Sequence, residues 1–256
     1  MLVTGGASNI GRGIVHGFAA EGARLVIADV DAQQAAKVQA EALERGAAQA
    51  ELAIGDLTED GAGERAVAPL LDHWGGIDVL VNNAGWSVPG FLAEDTDRAK
   101  WQRTVEINFY TAIACTQAAI PPMREAGAGA IVFIASDAAF GQIRQGIYGA
   151  TKAALIALAR TTAREHGRHG IRANVVCPGL VLPDSPDAVG SASLWAVGQD
   201  AVFNDQQIDY LKKDIPLRRL TTAADIANTV TWIASDRAAR QVTGQVLSVS
   251  GGYTMP

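Results

Sequence analysis

Short apolar runs rich in valine and isoleucine alternate with longer helical stretches from one end of the chain to the other. The runs fall at Leu2–Thr4, Arg24–Ala28, Glu51–Gly55, Asp78–Asn82, Ala130–Ala135, Ile171–Cys177 and Gln245–Val249. Continuous apolar runs of this length read as strands covered on both faces, and the helical stretches between them return the chain to the same edge each time. The pattern predicts an α/β fold: a doubly wound, seven-stranded parallel sheet with helices on both faces, in a single domain over residues 1–256. Helices are expected at Ile10–Glu21, Ala32–Arg45, Arg98–Ile120, Tyr148–Gly167 and Ala223–Ser235. The first strand is shorter than the usual five or six residues, so the natural start is expected upstream of Met1.

The interval 180–222 breaks the pattern. It opens with Pro183-Asp184-Ser185-Pro186, runs through small residues and carries Trp195, Phe203 and Tyr210 with no strong period. Several aromatic residues in a purely solvated loop would expose apolar area for no gain, so the segment is expected to be a substrate lid.

At 256 residues and 48% hydrophobic, the chain can fill one large core. A net charge of −6, with no block of five or six like charges, argues against nucleic acid or an anionic membrane as partner and for a small molecule. No cationic segment leads into a signal core, and no clean apolar run is long enough to span a bilayer, so a cytoplasmic protein is expected. Cys115 and Cys177 lie in separate apolar runs without a Cys-x-x-Cys pattern, which reads as buried free thiols. His166 and His169 lack a Glu-x-x-His framework, and no metal is assigned.

The chemistry is concentrated at run ends. Thr4-Gly5-Gly6-Ala7-Ser8-Asn9-Ile10-Gly11 follows the first strand and leads into a helix, where close backbone approach and unpaired N–H groups cradle a phosphate. The second strand ends at Asp29, whose carboxylate can accept both hydroxyls of an adenosine ribose and repel a 2′-phosphate, favouring NAD over NADP; the alternative is a cap on the following helix. Asp56 ends the third strand within reach of an adenine amino group, and Asn82-Asn83-Ala84-Gly85 closes the fourth with small residues. Tyr148 and Lys152, four apart, share one helix face, where the ammonium would pull the phenol below its ordinary pKa of about 10 and make it a usable acid or base. Ser136, ending the fifth strand, can hold a substrate oxygen.

Together these motifs resemble the short-chain dehydrogenase/reductase family over essentially the whole chain: the Thr4–Gly11 turn, Asn82-Asn83-Ala84-Gly85, Asn108, Ser136, Tyr148-x-x-x-Lys152 and Pro178-Gly179. The resemblance implies a Rossmann-type sheet and an NAD-dependent oxidoreductase acting on CH–OH groups, assembled as a homotetramer. It implies a catalytic tetrad of Asn108, Ser136, Tyr148 and Lys152, with Asn108 holding a water that links the lysine to solvent. It further implies cofactor contacts from Gly5, Ser8, Asn9, Ile10, Gly11, Asp29, Val30, Asp56, Leu57, Asn83, Ala84, Gly85, Tyr148, Lys152, Pro178, Gly179 and Val181. The chain departs from the family pattern in four places. Asn9 stands where a second glycine is usual, and asparagine tolerates the left-handed backbone. Ser136 and Tyr148 are twelve apart rather than thirteen. Pro183 replaces a threonine that often contacts the nicotinamide amide, and Ser250 replaces an aspartate.

The substrate pocket is expected to be lined by Trp86, Asp137, Phe140, Ile143, Leu180 and Trp195, with Asp137 its only charge, which favours a hydrophobic, cyclic secondary alcohol or ketone. A weaker likeness to alicyclic hydroxyacyl-CoA and cyclic alcohol dehydrogenases makes a hydroxyacyl-CoA dehydrogenase the alternative, with Lys212, Lys213, Arg218 and Arg219 as candidate phosphate contacts. A catalytically silent NAD-binding regulatory protein is the competing class, and the intact tetrad argues against it.

Overall fold

A computed structural model describes residues 1–191, 193–197 and 203–256. The seven apolar runs become β1 (Leu2–Thr4), β2 (Arg24–Asp29), β3 (Gln49–Ile54), β4 (Val79–Asn82), β5 (Gly129–Ile134), β6 (Ile171–Pro178) and β7 (Val246–Val249). They form one parallel sheet in the order β3-β2-β1-β4-β5-β6-β7. The order reverses direction between β1 and β4, which opens a crevice beyond the carboxyl ends of those two strands.

Alternate residues along each strand feed two separate cores. Val3, Leu25, Ile27, Val81, Val132 and Ile134 pack beneath α1 (Asn9–Ala20), α2 (Ala32–Glu44) and a C-terminal helix over Ala223–Ala234. Their neighbours Leu2, Val26, Leu80, Ile131 and Phe133 face α3 (Ala62–Trp74) and the two longest helices. With both faces covered, most strand positions are apolar, which is why the runs show no clean alternation in sequence.

The expected helix at Arg98–Ile120 is instead α4 (Arg98–Val105), one π turn (Glu106–Tyr110) and α5 (Thr111–Ala126). A π turn is a single-turn bulge inside an otherwise continuous helix, so the whole stretch reads as one helix in sequence. The remaining helices are α6 (Gly146–His166), α7 (Asp205–Asp214), α8 (Ala223–Ala234) and the short α9 (Asp236–Ala239). Three of the helices, α3, α7 and the short α9, are additions to the sequence reading. Pro69 and flanking glycines obscured α3, while α7 lies inside the interval 180–222 and starts at a capping box in which Asn204 and Gln207 satisfy each other's backbone N–H groups.

Arg172 is buried on β6, where its guanidinium donates to the carbonyls of Ile233 at 2.7 Å, Ala234 at 2.9 Å and Val242 at 3.3 Å. It closes the C-terminal end of α8, whose last carbonyls have no partner within the helix. Both cysteines are free and buried, and burial pushes their thiols up to about 12 for Cys115 and about 11 for Cys177. Among the described residues no helix is long and apolar enough to cross a membrane.

Candidate active site

The crevice at the reversal is built by interlocking the turns that follow β1 and β4. Asn83 donates from Nδ2 to the carbonyls of Thr4 and Gly5, both at 2.9 Å, while Thr4 Oγ1 accepts the N–H groups of Asn83 and Ala84, both at 3.0 Å. The backbones touch so closely that side chains are excluded: a Cβ on Gly11 would stand 2.0 Å from the Gly5 carbonyl oxygen. Asn9 takes the left-handed conformation expected of it, with φ 40°. Helix α1 begins at Ser8 with no side-chain cap and no acidic residue in its first turn, leaving the positive end of its dipole for an anion.

Asp29 stands across this turn. Its Oδ2 accepts the Ala7 N–H at 3.0 Å and its Oδ1 the Asp31 N–H at 3.1 Å, although burial still pushes the carboxyl pKa up. The alternative role as helix cap falls to Asp31, whose Oδ1 accepts from Gln34 N at 3.0 Å, so Asp29 is free of that duty. Val30 is exposed beside it. On the far side Asp56 is exposed and its Oδ1 is already engaged by the N–H and hydroxyl of Thr58 at 2.9 and 2.7 Å, with Leu57 half-buried next to it. A glycine cradle, an uncapped helix start and a fixed carboxylate on the same turn fit a dinucleotide.

Ser136, Tyr148 and Lys152 converge where β5 ends against α6. Lys152 is buried and its Nζ donates to the Ile134 carbonyl at 2.8 Å while lying 5.6 Å from the centroid of the Tyr148 ring. Burial presses both groups toward their neutral forms: the phenol is pushed up to about 12 and the ammonium down to about 8. The expectation that Lys152 holds the phenol below its ordinary value is therefore corrected. Desolvation outweighs it, the opposing pull comes from the Ser136 hydroxyl, and the lysine is turned onto a strand carbonyl. At neutral pH Tyr148 stands ready as a proton donor.

Asn108 lies in the π turn, and its amide is consumed by Trp86, donating to the carbonyl at 2.7 Å and accepting the N–H at 2.8 Å. It also borders Lys152 across Gly85, where a Cβ would stand 2.9 Å from Asn108 Oδ1 and 3.2 Å from Lys152 Nζ. The Asn108 side chain thus clamps the backbone of an expected pocket residue. The shortened loop between Ser136 and Tyr148 closes through a 3₁₀ turn (Asp137–Phe140), Gly141 at φ 94° and Arg144 at φ 67°.

Of the residues expected to line the pocket, Trp86, Leu180 and Trp195 are half-buried, Asp137 is buried, Phe140 is partly exposed and Ile143 is 82% exposed. The segment after Trp86 also carries exposed apolar residues not singled out from sequence, Val88, Phe91 and Leu92. That segment is joined to the Tyr148 loop by Gly90 N to Arg144 O at 2.9 Å and by Ser87 Oγ to Gln145 Oε1 at 3.0 Å. Trp195 sits in a 3₁₀ turn (Leu194–Val197) with its ring 6.2 Å from that of Phe203; residues 198–202 of the expected lid lie outside the described residues. The near end of the interval 180–222 is fastened to the cradle. Asp31 Oδ2 accepts from Ser191 N at 2.9 Å and its hydroxyl at 2.8 Å, Ser8 Oγ accepts from Gly190 N at 3.3 Å, and Asn9 Nδ2 donates to Val181 O at 3.3 Å. Pro178 is buried at the end of β6, Gly179 packs on Ser250, and Ser185 is exposed.

A family profile described as enoyl-(acyl carrier protein) reductase matches residues 5–254. A 3-oxoacyl-[acyl-carrier-protein] reductase of Staphylococcus epidermidis is 33% identical over 99% of this chain and 98% of its own. The (2S)-[(R)-hydroxy(phenyl)methyl]succinyl-CoA dehydrogenase subunit of Thauera aromatica is 36% identical over 99% and 96%. A crystal structure from Sinorhizobium meliloti 1021, assigned as a short-chain alcohol dehydrogenase, superposes with a TM-score of 0.87 at 29% identity, covering 98% of this chain and 94% of that one.

Proposed function

The chain belongs to the short-chain dehydrogenase/reductase family of oxidoreductases, which work with a nicotinamide cofactor, and from that premise we propose that it transfers a hydride between NAD and a hydrophobic, cyclic secondary alcohol or ketone. The observation that carries the reading is the buried meeting of Ser136, Tyr148 and Lys152 at the carboxyl end of β5, beside a crevice shaped for a dinucleotide. The cofactor supplies or accepts the hydride when bound; the Gly5–Gly11 turn, Asp29 and the Asn83–Gly85 segment would hold it. Ser136 and Tyr148 hold the substrate oxygen between their hydroxyls. Tyr148 gives its proton to a carbonyl oxygen or takes one from an alcohol, worth about 10²–10⁴-fold in rate. Lys152, its Nζ on the Ile134 carbonyl beside the phenol, would grip the nicotinamide ribose, and Asn108 fixes the Trp86 wall. Asp29 supports NAD over NADP, because its carboxylate faces the cradle and repels a 2′-phosphate.

The exposed apolar residues Val88, Phe91, Leu92 and Ile143 support a hydrophobic substrate. We further propose that the chain works as a cytoplasmic homotetramer through the outer faces of α5 and α6, where Ile113, Ile120, Pro121 and Leu158 line a surface groove. A CoA thioester is the second reading, favoured by the Thauera aromatica relative. The lid-side basic residues do not carry it. Arg219 is tied to Asp225 at 2.6 and 3.0 Å, Lys212 pairs with Asp209 at 3.4 Å, and Arg218 donates to the Lys213 carbonyl. Turnover of matched cyclic alcohols and their hydroxyacyl-CoA counterparts, each with NAD and NADP and followed by reduced-nicotinamide absorbance, tests the reading. Faster NAD-linked turnover of the free alcohols supports it, and thioester-only or NADP-only turnover overturns it.

A further inference from the structure

Beside Ser136 the structure places a carboxyl group that no step above uses. Asp137 is only 6% exposed, and its Oδ1 accepts the Ser136 hydroxyl at 3.2 Å. Ser136 Oγ in turn accepts the Ala138 N–H at 3.1 Å. A serine hydroxyl has one hydrogen to donate and two lone pairs to accept with. In this arrangement the hydrogen goes to Asp137 and one lone pair to Ala138, so Ser136 meets the substrate site as an acceptor. A carbonyl or alcohol oxygen held between Ser136 and Tyr148 needs a donor instead.

We propose that Asp137 is a positioning residue that sets the direction of the Ser136 hydrogen bond: ionised, it draws the serine hydrogen away from the substrate, and protonated, it donates to Ser136 Oγ and frees that hydrogen for the substrate oxygen. In the protonated form Ser136 accepts from both Ala138 N–H and the carboxyl O–H, which fills its two lone pairs and leaves its single hydrogen for the substrate. No covalent bond changes at the serine; the proton on Asp137 comes from solvent. The inference rests on the reading of Ser136 as the group that holds the substrate oxygen.

The groups that face Asp137 leave it as the titrating member in the acid range. Tyr148 and Lys152 come from α6 and Cys177 from β6, with Gln142 the neutral partner on the following loop. Burial holds the phenol at about 12 and the thiol at about 11, so both stay neutral below pH 8, and Lys152, at about 8, stays charged below pH 7. Burial raises Asp137 itself to about 6, within the range where an enzyme can use it.

The test is the pH dependence of kcat/KM for ketone reduction from pH 4.5 to 8 in the unmodified enzyme, Asp137→Asn, Ser136→Ala and the double variant, with NAD binding by tryptophan fluorescence as the check on folding. The unmodified enzyme should lose about tenfold between pH 5 and pH 7. Asp137→Asn, whose amide can donate to Ser136 at every pH, should stay level at the acid-side rate; Asp137→Ala should also lose the inflection and serves if the amide packs poorly. Ser136→Ala should show no inflection for a second substitution to remove. An inflection near pH 6 that survives in Asp137→Asn and Asp137→Ala, or one that persists in Ser136→Ala and vanishes only in the double variant, overturns the proposal. An unmodified enzyme inactive at every pH overturns the dehydrogenase reading instead, and the inference falls with it.

Discussion

Asp137→Asn should make the protein more stable above pH 6, and the size of the gain follows from burial. The carboxyl is raised from the ordinary 3.8 to about 6 because its charged form has lost water. Between those values the folded state binds more protons than the unfolded state, so stability falls as pH rises through the window and levels off above it. Each pKa unit corresponds to 1.36 kcal/mol, so the ionised carboxylate costs the fold about 3 kcal/mol at pH 8 and almost nothing at pH 3.5. An amide keeps a hydrogen bond to Ser136, now as its donor, and removes the charge. Urea unfolding at matched protein concentration should show the two proteins equal near pH 3.5 and the variant ahead by about 2–3 kcal/mol at pH 8. Equal stabilities at both pH values would refute the burial argument, and a variant less stable at pH 8 would mean that the carboxylate is held by favourable contacts instead.

Asp29→Ala removes the acceptor held by the Ala7 and Asp31 N–H groups and with it the repulsion of a 2′-phosphate, so the ratio of kcat/KM for NAD over NADP should fall at least about tenfold in steady-state assays. Trp195→Ala should raise KM for bulky cyclic alcohols more than for small ones, with NAD affinity little changed, in a graded alcohol series. Arg172→Leu strips the Ile233 and Ala234 carbonyls at the end of α8 of their donor, while Val242 keeps the Asn174 amide, and should cost about 2–4 kcal/mol in urea unfolding, with activity per folded molecule unchanged.

The sheet was legible because both faces are covered: Val81 and Leu80 serve opposite cores, yet both must be apolar, and seven such runs leave few arrangements open. The cradle and the Tyr148–Lys152 pair were legible because each is a local spacing. What the chain hid is contact across long sequence separations. Nothing in Asp31 announces that it fastens Ser191, nor in Asn108 that its amide is spent on the Trp86 backbone. Burial was hidden too: the four-residue spacing brings an ammonium to the phenol, but only the depth of the site shows that desolvation governs both groups. Helix α7 had a readable start at Asn204 and Gln207, masked by the aromatic, weakly periodic segment around it.

The central claim is that Tyr148 moves the proton in an NAD-linked hydride transfer. Its most direct test is the rate of NAD reduction with a cyclic secondary alcohol by the unmodified enzyme and by Tyr148→Phe, alongside NAD binding to both. Loss of the hydroxyl should lower kcat by about 10²–10⁴-fold while NAD binding stays within about twofold. A variant that keeps more than a tenth of the rate would contradict the claim.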